Sequence, residues 1–255
     1  MFVTPPQPYP VTHTRRLSDR NPEQRWQWII TTVVLLACGF FALPHDFGLA
    51  KYLQVNGVPS ALQDVLERAE TFAHGIGITA ILIVLYVVDL SRRWAIPRVI
   101  LAVVSAGIAA NVIKLLIGRF RPHSADITAH FTDSFTTALP FFSVGSAERG
   151  CPSAHTTVVF AFAVGLCWLY PRGRMLFIGL AIFAAAQRLT ANAHFLSDVF
   201  WGASLGYFVG RGVIAGWLTG VKFNHGEAER YRKSNHIEPI PSSTIPAETP
   251  RKVAA

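Results

Sequence analysis

Four short segments of the sequence combine basic, imidazole, hydroxyl and carboxylate side chains next to long apolar stretches. A phosphoryl group suits this combination, because its oxygens bind several fixed cations and an arginine offers them a planar pair of donors. A nitrogen nucleophile and a proton donor would complete a site that cleaves a phosphate ester. The segments are Lys114–Pro122, Cys151–His155, Gln187–Arg188 and His194–Asp198.

The basic residues of these segments are the candidate phosphate ligands. Lys114, Arg121 and Arg188 supply the cations. Ser153 precedes an apolar stretch that is predicted to start as a helix, where free backbone N–H groups, including that of Ala154, favour an anion. The sequence has no carboxylate cluster suited to magnesium, so we predict that these cations neutralise the phosphate without a metal or another cofactor.

Two histidines are the candidate catalytic groups. His194 and Asp198 are four residues apart, so on a helix they would share a face and the carboxylate would orient the imidazole as a nucleophile. His155 has no carboxylate nearby in the sequence and follows a predicted helix start. That position suits it to protonate the leaving oxygen and later to activate water.

The apolar stretches between these segments indicate the class of protein that positions them. The 255 residues are 51% hydrophobic and only 15% charged, with a mean hydropathy of +0.35. Soluble domains carry about 25% charged residues, so the composition argues against a soluble domain and against a largely disordered chain. Three cysteines cannot form a disulfide framework. We therefore predict an integral membrane protein that crosses the bilayer several times.

Six apolar runs are the candidate transmembrane helices, and several must extend into their flanks to reach the roughly 20 residues that cross a bilayer. Because helices satisfy their own backbone in lipid, the predicted fold is all-α, an integral membrane bundle of six transmembrane helices. Arg98 and Arg211 lie within two of the runs and are expected to extend to the interface. The runs are Trp28–Leu43, Phe72–Val88, Ala95–Ile113, Thr156–Tyr170, Met175–Gln187 and Val199–Leu218.

The distribution of lysine and arginine predicts the direction of the bundle. With the N-terminus in the cytoplasm, the inner segments hold 15 of these residues and the outer loops and span ends hold seven. This bias predicts both termini inside, in a multi-pass protein of the cell membrane such as a bacterial inner membrane. The net charge of +8 is spread over loops and not gathered on one face, so it does not indicate nucleic-acid binding.

With this topology the four polar segments all lie on the extracytoplasmic side. Each has a simpler structural explanation: basic residues at span ends anchor helices to lipid headgroups, a serine before a helix is a common N-cap, and the His194–Asp198 pair could be a satisfied polar contact. Their convergence on one side favours a single anion site. Arg119 is the exception, for which we expect a lipid-anchor role.

The remaining segments have simpler assignments. Residues 1–27 are predicted to be a flexible cytoplasmic leader, residues 28–218 the six-span domain, and residues 219–255 a cytoplasmic, largely disordered tail. Between the first two spans, Ser60–Gln63 resembles a capping box at the start of a short amphipathic helix on the membrane surface. An ordinary loop helix packed on the bundle is an equal alternative.

Together the segments resemble the three signatures of the type 2 phosphatidic acid phosphatase superfamily. In Lys114–Pro122, a lysine, six residues and an arginine–proline pair are similar to the first signature. Pro152–His155 is similar to the second signature. Arg188–Asp198, an arginine, five residues, a histidine, three residues and an aspartate, is similar to the third.

The resemblance implies a metal-independent phosphatase that works through a phosphohistidine. Ala154 replaces the family's usual glycine and Gln187 replaces a common serine. Neither departure removes a catalytic group, so we expect activity with altered packing or substrate preference. The roles implied by position are phosphate binding for Lys114, Arg121, Ser153, Ala154 and Arg188, general acid and base for His155, nucleophile for His194, and orientation of that nucleophile for Asp198.

The substrate implied by the resemblance is a lipid phosphomonoester or pyrophosphate, such as phosphatidic acid, phosphatidylglycerol phosphate, undecaprenyl pyrophosphate or a lipid A phosphate. The partners expected are this lipid and the bilayer, and the oligomeric state is left open. A lipid phosphotransferase would use the same phosphohistidine and stays an alternative. The related vanadium haloperoxidases are largely soluble, and a transporter would hold its charges near the midplane. The loop His123–Arg149, rich in aromatic and hydroxyl side chains, is expected to influence the choice of lipid.

Overall fold

The structure, a computed structural model, describes residues 22–126, 128, 130–138 and 149–234. These residues are mostly helical. Most of the predicted leader, the end of the predicted tail and much of the predicted substrate loop lie outside the described residues. The elements are α1 Pro22–Ala42, α2 Asp46–Asn56, α3 Ser60–Glu70, α4 Gly75–Val88, α5 Ile96–Leu116, β1 Ile117–Arg119, β2 Phe135–Ala138, α6 Ala154–Leu169, α7 Arg174–Thr190, α8 Leu196–Ala215 and α9 Val221–Ser234.

Helices α6 and α8 form the centre of the bundle, because small residues let their backbones approach closely. A Cβ atom added at Gly206 would lie 2.1 Å from the carbonyl oxygen of Thr157, and one at Gly202 would lie 2.7 Å from that of Ser153. Such close approach through glycines is typical of helix pairs in membranes. Helices α5 and α7 pack against α6, and α1 packs against α8.

The outer surface of the bundle is strongly apolar. Phe41 on α1 and Val88 on α4 are 79% and 75% exposed, and large apolar side chains of α5 and α7 also face outward. A surface of this kind is rare on a soluble monomer and is typical of one that contacts lipid. The interior cluster of buried apolar residues lies between α4, α5, α6 and α7.

Each of the six predicted runs falls on a helix: α1, α4, α5, α6, α7 and α8. Two helical stretches of the described residues are long and apolar enough to cross a membrane alone, Trp26–Asn56 with 31 residues and Arg93–Leu116 with 24. Helices α3 and α4 form a third candidate if they act as one span, although they are bent by 62°. The chain is therefore a helical protein with at least two candidate membrane spans, and the six-span arrangement stays a prediction.

Helix α3 differs from its prediction at its first residue. Pro59, not Ser60, is the N-cap, and no side chain caps the helix, so the predicted capping box is wrong. Leu66 and Ala69 are buried, and α3 packs against α7. These contacts favour the alternative of a loop helix packed on the bundle.

The tail also differs from its prediction, because residues Val221–Ser234 form helix α9. Glu227 of this helix accepts a hydrogen bond from Arg98 Nε at 2.7 Å, and Asn224 Oδ1 accepts one from Arg98 Nη2 at 2.6 Å. Arg98 is only 2% exposed. The prediction that Arg98 extends to the interface is therefore wrong, because α9 supplies its counter-charge inside the protein.

A two-stranded antiparallel sheet, β1 and β2, follows α5 and was not predicted. Arg119 ends β1 and also forms an isolated parallel bridge with Arg149. The sheet thus joins the end of α5 to the chain that leads into α6, between two of the predicted site segments.

Candidate active site

The predicted site residues lie at one end of the bundle, because they come from neighbouring ends of four helices. Lys114 is in the last turn of α5 and Arg188 in the last turn of α7. Ser153 is the N-cap of α6, and Asp198 is in the first turn of α8. The other four, Arg121, Ala154, His155 and His194, lie close to these helix ends in the chain.

The nucleophile candidate His194 is oriented by a backbone carbonyl. Its Nδ1 lies 2.7 Å from the carbonyl oxygen of Gly150 and 4.0 Å from Oδ2 of Asp198. A carbonyl only accepts, so Nδ1 carries the proton and the lone pair is on Nε2. The predicted hydrogen bond from His194 to Asp198 is therefore not formed. The two residues do not share a helical face, because His194 precedes α8, whose N-cap is Phe195.

Gly150 was missed by the sequence-based prediction. Its N–H donates to the carbonyl oxygen of Arg119 at 2.8 Å, and an added Cβ would lie 2.9 Å from that same oxygen. A glycine therefore suits this position, between Arg119 on one side and His194 on the other. Nothing in the sequence marks it except its place just before the second signature.

Asp198 is fully buried and holds the start of α8. Its Oδ2 accepts a hydrogen bond from the backbone N–H of Phe195 at 3.0 Å, and its Oδ1 pairs with Nη1 of Arg119 at 2.5 Å. The carbonyl oxygen of Asp198 accepts from the N–H of Ser153 at 3.1 Å. Asp198 thus fixes the position of His194 through the backbone and joins α8 to α6.

The lipid-anchor role predicted for Arg119 is wrong, because its side chain is 0% exposed. Besides Asp198, the guanidinium donates to Oδ2 of Asp46 at 2.6 Å and to Oγ of Ser197 at 2.7 Å. The rings of Phe135, Phe195 and Trp201 surround the same guanidinium. A buried arginine is tolerated at such a place because two carboxylates neutralise it.

Asp46 is a second residue that the sequence-based prediction missed. It is the first residue of α2, 1% exposed, and its Oδ1 accepts from the backbone N–H of Ser197 at 2.9 Å. Its side chain also accepts from the hydroxyl of Ser197. The segment after α1 is thereby attached to the N-terminus of α8, where a carboxylate is favoured by the helix dipole.

The start of α6 is arranged around Ser153. Its hydroxyl oxygen accepts hydrogen bonds from the backbone N–H and the hydroxyl of Thr156, at 3.4 and 2.9 Å. The residue is 0% exposed, which supports an N-cap role for the side chain. Ala154 and His155 are only half-buried. Their position in the first helical turn places backbone N–H groups that lack intrahelical partners at the site.

Burial and positive charge together lower the pKa of His194 well below its usual value. Burial is the largest cause, and the charges of Lys114 and Arg121 add to it. The imidazole is therefore neutral near pH 7, as a nucleophile must be. Arg188 also acts on this pKa, so all three predicted phosphate-binding cations are within electrostatic range of His194.

His155 lies on another side of this cluster. The charges of Arg188 and Lys114 act on it, and its ring centroid is 6.5 Å from that of His74. His74 is the N-cap of α4, so the bend between α3 and α4 also borders the site. The structure thus brings the three signature segments together and adds residues from α2 and from the α3–α4 bend.

The geometry defines a class: a helical membrane protein with an extended cationic site that contains a neutral, oriented imidazole. The family model of the PAP2 superfamily matches residues 96–221. The chain belongs to the PAP2 superfamily through this segment.

Two curated relatives are similar to part of the chain. One, named lipid A 1-phosphatase, from Rhizobium johnstonii (strain DSM 114642 / LMG 32736 / 3841), is 37% identical over 113 residues, which are 44% of this chain and 44% of the relative. The other has the same name, comes from Rhizobium etli (strain ATCC 51251 / DSM 11541 / JCM 21823 / NBRC 15573 / CFN 42), and is 36% identical over 113 residues, 44% of this chain and 46% of the relative. The matched segment spans less than half the length of both relatives. No solved structure matches the chain.

Proposed function

We propose that this chain is a membrane phosphatase that hydrolyses a lipid phosphate through a phosphohistidine on His194. The observation that supports the proposal most directly is the hydrogen bond between His194 Nδ1 and the Gly150 carbonyl, 2.7 Å long, among three cations. It keeps the proton on Nδ1 and leaves Nε2 free to attack. Family membership supports the same reaction class.

The phosphate group is bound by charge before any bond changes. Lys114, Arg121 and Arg188 neutralise its oxygens, and the backbone N–H groups of Ala154 and His155 donate to it at the start of α6. Ser153 acts mainly by capping this helix and so keeps those donors in place. This arrangement also stabilises the additional charge of the transition state.

The reaction then has two halves. In the first, Nε2 of His194 forms a bond to phosphorus as the bond to the lipid oxygen breaks, and His155 donates a proton to that oxygen. In the second, His155 takes a proton from water, the water oxygen attacks phosphorus, and the phosphorus–nitrogen bond breaks. Inorganic phosphate leaves and His194 returns to its neutral form.

The proposed reaction uses no metal ion. In the part of the chain that the structure describes, no group of three or more His, Cys, Asp or Glu side chains is placed to hold one. The charge neutralisation that a metal would give comes instead from Lys114, Arg121 and Arg188.

The proposed substrate is a lipid with a phosphomonoester on its head group, of the type named in the two curated relatives, a phosphate at position 1 of lipid A. An apolar groove of about 470 Å³ between α4 and α5 supports a substrate with acyl chains. The groove is lined by Gly75, next to His74, and by Val158, one turn after His155. One end of it therefore borders the site.

We further propose that all six predicted runs cross the membrane within residues 28–218, with both termini in the cytoplasm and the site on the extracytoplasmic side. The source of the relatives supports a bacterial membrane. The short helices α6 and α7, of 16 and 17 residues, would cross by extending into the flanking turns. The 15-to-7 distribution of lysine and arginine supports this direction.

The test is phosphate release by the purified chain in detergent, over a panel of phosphatidic acid, phosphatidylglycerol phosphate, undecaprenyl pyrophosphate and lipid A phosphates. We expect release from at least one lipid and an acid-labile phosphate trapped on the protein. His194→Ala should abolish both. His225→Ala, which changes an exposed histidine on α9, should change neither. Turnover that persists in His194→Ala would contradict the proposal, and transfer to an added alcohol without phosphate release would indicate a phosphotransferase.

A further inference from the structure

Arg188, one of the three cations assigned to phosphate, is already paired with a carboxylate from outside the signatures. Its Nη2 donates to Oε1 of Glu70 at 2.5 Å. Glu70 is the last residue of α3 and is 118 positions away in the sequence. The side-chain carbonyl of Gln187 accepts from Nε of the same guanidinium at 2.7 Å and also from Nη2.

The two partners of Arg188 differ in charge and exposure. Gln187 is a buried, neutral neighbour on the same helix. Glu70 is negatively charged and 32% exposed, and it comes from another helix. A neutral acceptor orients the guanidinium without competing with an anion, whereas a carboxylate binds the donors that a phosphate oxygen needs.

Glu70 also lies at the border of the site itself. It is next to the bend between α3 and α4, whose last residue, His74, has its ring 6.5 Å from that of His155. The charge of Glu70 acts on His155 directly. A phosphate bound by Arg188 near His155 would therefore meet the Glu70 carboxylate.

We propose that Glu70 is an internal competitor of the phosphate group for Arg188, a specificity-determining residue that sets how tightly the site holds phosphate anions. This inference rests on the phosphate site proposed above. An anion must displace the carboxylate before it gains the donors of Arg188, so its apparent affinity falls by the fraction of protein in which Arg188 is free. The consequence is weaker retention of the product, inorganic phosphate, and of other anionic groups at the membrane surface.

The competition predicts opposite effects for the two partners of Arg188. Glu70→Gln keeps the shape and removes the charge, so we expect the inhibition constant for inorganic phosphate to fall by about threefold to fivefold, the range for a partly exposed ion pair. Gln187→Ala removes the neutral acceptor, so the same constant should rise. Glu67→Gln is the matched control, because it removes one exposed carboxylate from α3 that bonds to Gln63 and not to Arg188; it should leave the constant unchanged.

The measurement is inhibition by inorganic phosphate of aryl phosphate hydrolysis by the full chain in detergent. A lower constant in Glu70→Gln, with the control unchanged, supports the inference, since loss of a merely structural contact would not tighten binding. An unchanged or higher constant in an active Glu70→Gln protein would overturn it. Absence of turnover in the unmodified chain, or inhibition that does not respond to Lys114→Gln, would overturn the proposed function instead.

Discussion

Replacement of Gly206 by alanine tests how closely the site depends on the contact between α6 and α8. The added Cβ would lie 2.1 Å from the Thr157 carbonyl oxygen, whereas real Cβ atoms essentially never come within 3.0 Å of another heavy atom. The obstacle is helix backbone, which cannot rotate away as a side chain can. The two helices must therefore separate locally by about 0.9 Å, as the difference between these distances requires.

This separation has a cost in stability and a larger one in activity. Overpacking of this kind destabilises a protein by about 1–3 kcal/mol. Helix α6 starts at Ser153 and α8 begins just after His194, so the separation displaces the phosphate-binding donors from the nucleophile. A misplacement of about 1 Å can reduce turnover by about 10²-fold, and we expect a loss of that order for Gly206→Ala.

Two other glycines provide a graded series for the assay. Gly202→Ala places its Cβ 2.7 Å from the Ser153 carbonyl, a smaller overlap, whereas Gly179→Ala on α7 meets nothing within 4 Å. The last substitution should stabilise its helix by about 0.5–1 kcal/mol. The assay combines aryl phosphate turnover with the midpoint of thermal unfolding in detergent. The reasoning is refuted if Gly206→Ala is as stable and as active as Gly179→Ala.

Three further predictions follow from the site and its direction. Arg119→Lys should lower the unfolding midpoint and the turnover, because lysine cannot bridge two carboxylates, and Asp46→Asn should cost about 3–5 kcal/mol as a broken buried pair; a lipid anchor would tolerate both changes in thermal unfolding and turnover assays. The low pKa of His194 means that its neutral form persists below the free value of about 6.5, so the rate of phosphohistidine formation should hold at pH 6.5 and fall only in more acid solution; a fall centred at or above pH 6.5 that is assigned to His194 by rapid-quench trapping would contradict this. In a cysteine-free background, His130→Cys should react with an impermeant thiol reagent outside intact cells and Arg92→Cys should not; labelling of Arg92→Cys from outside would reverse the proposed topology.

The ends of the helices could be predicted from the sequence, because apolar runs and local signatures are short-range information. Arg188 and Asp198 were placed at helix ends from the lengths of the neighbouring runs alone, and the structure has both there. The position of Ser153 before a helix was predicted by the preference of serine for the N-cap. These predictions needed no knowledge of which helices are neighbours.

The contacts that position the nucleophile could not be predicted in this way, because they join distant parts of the chain. Asp46 is 73 residues from Arg119, and Gly150 is 44 residues from His194. An arginine at the end of an apolar run has the same local pattern whether it anchors lipid or is buried against carboxylates. The spacing of His194 and Asp198 was misleading for the opposite reason: it fits a helical pair, but the helix begins two residues after His194.

Helix α9 shows a further limit of composition as a guide. Its sequence is polar and highly charged, which without a partner is typical of a disordered tail. The partner is Arg98, a charge within a membrane-span candidate, and the pairing with Glu227 stabilises both. An unexplained charge in an apolar run therefore indicates that a polar segment elsewhere in the chain is ordered against it.

The segment that holds His194 has little regular structure of its own, so its rigidity must come from its neighbours. Asn192 adopts a positive φ of 52° there, which asparagine tolerates better than most residues, and its carbonyl accepts from His123 at 3.0 Å. Gly150 fixes the ring of His194, and Arg119 with its two carboxylates fixes the start of α8. A nucleophile gains most when its surroundings need no rearrangement during the reaction. The buried charges near His194 are therefore best explained as the support that keeps an irregular segment in one position, with the phosphate itself bound by the more accessible cations.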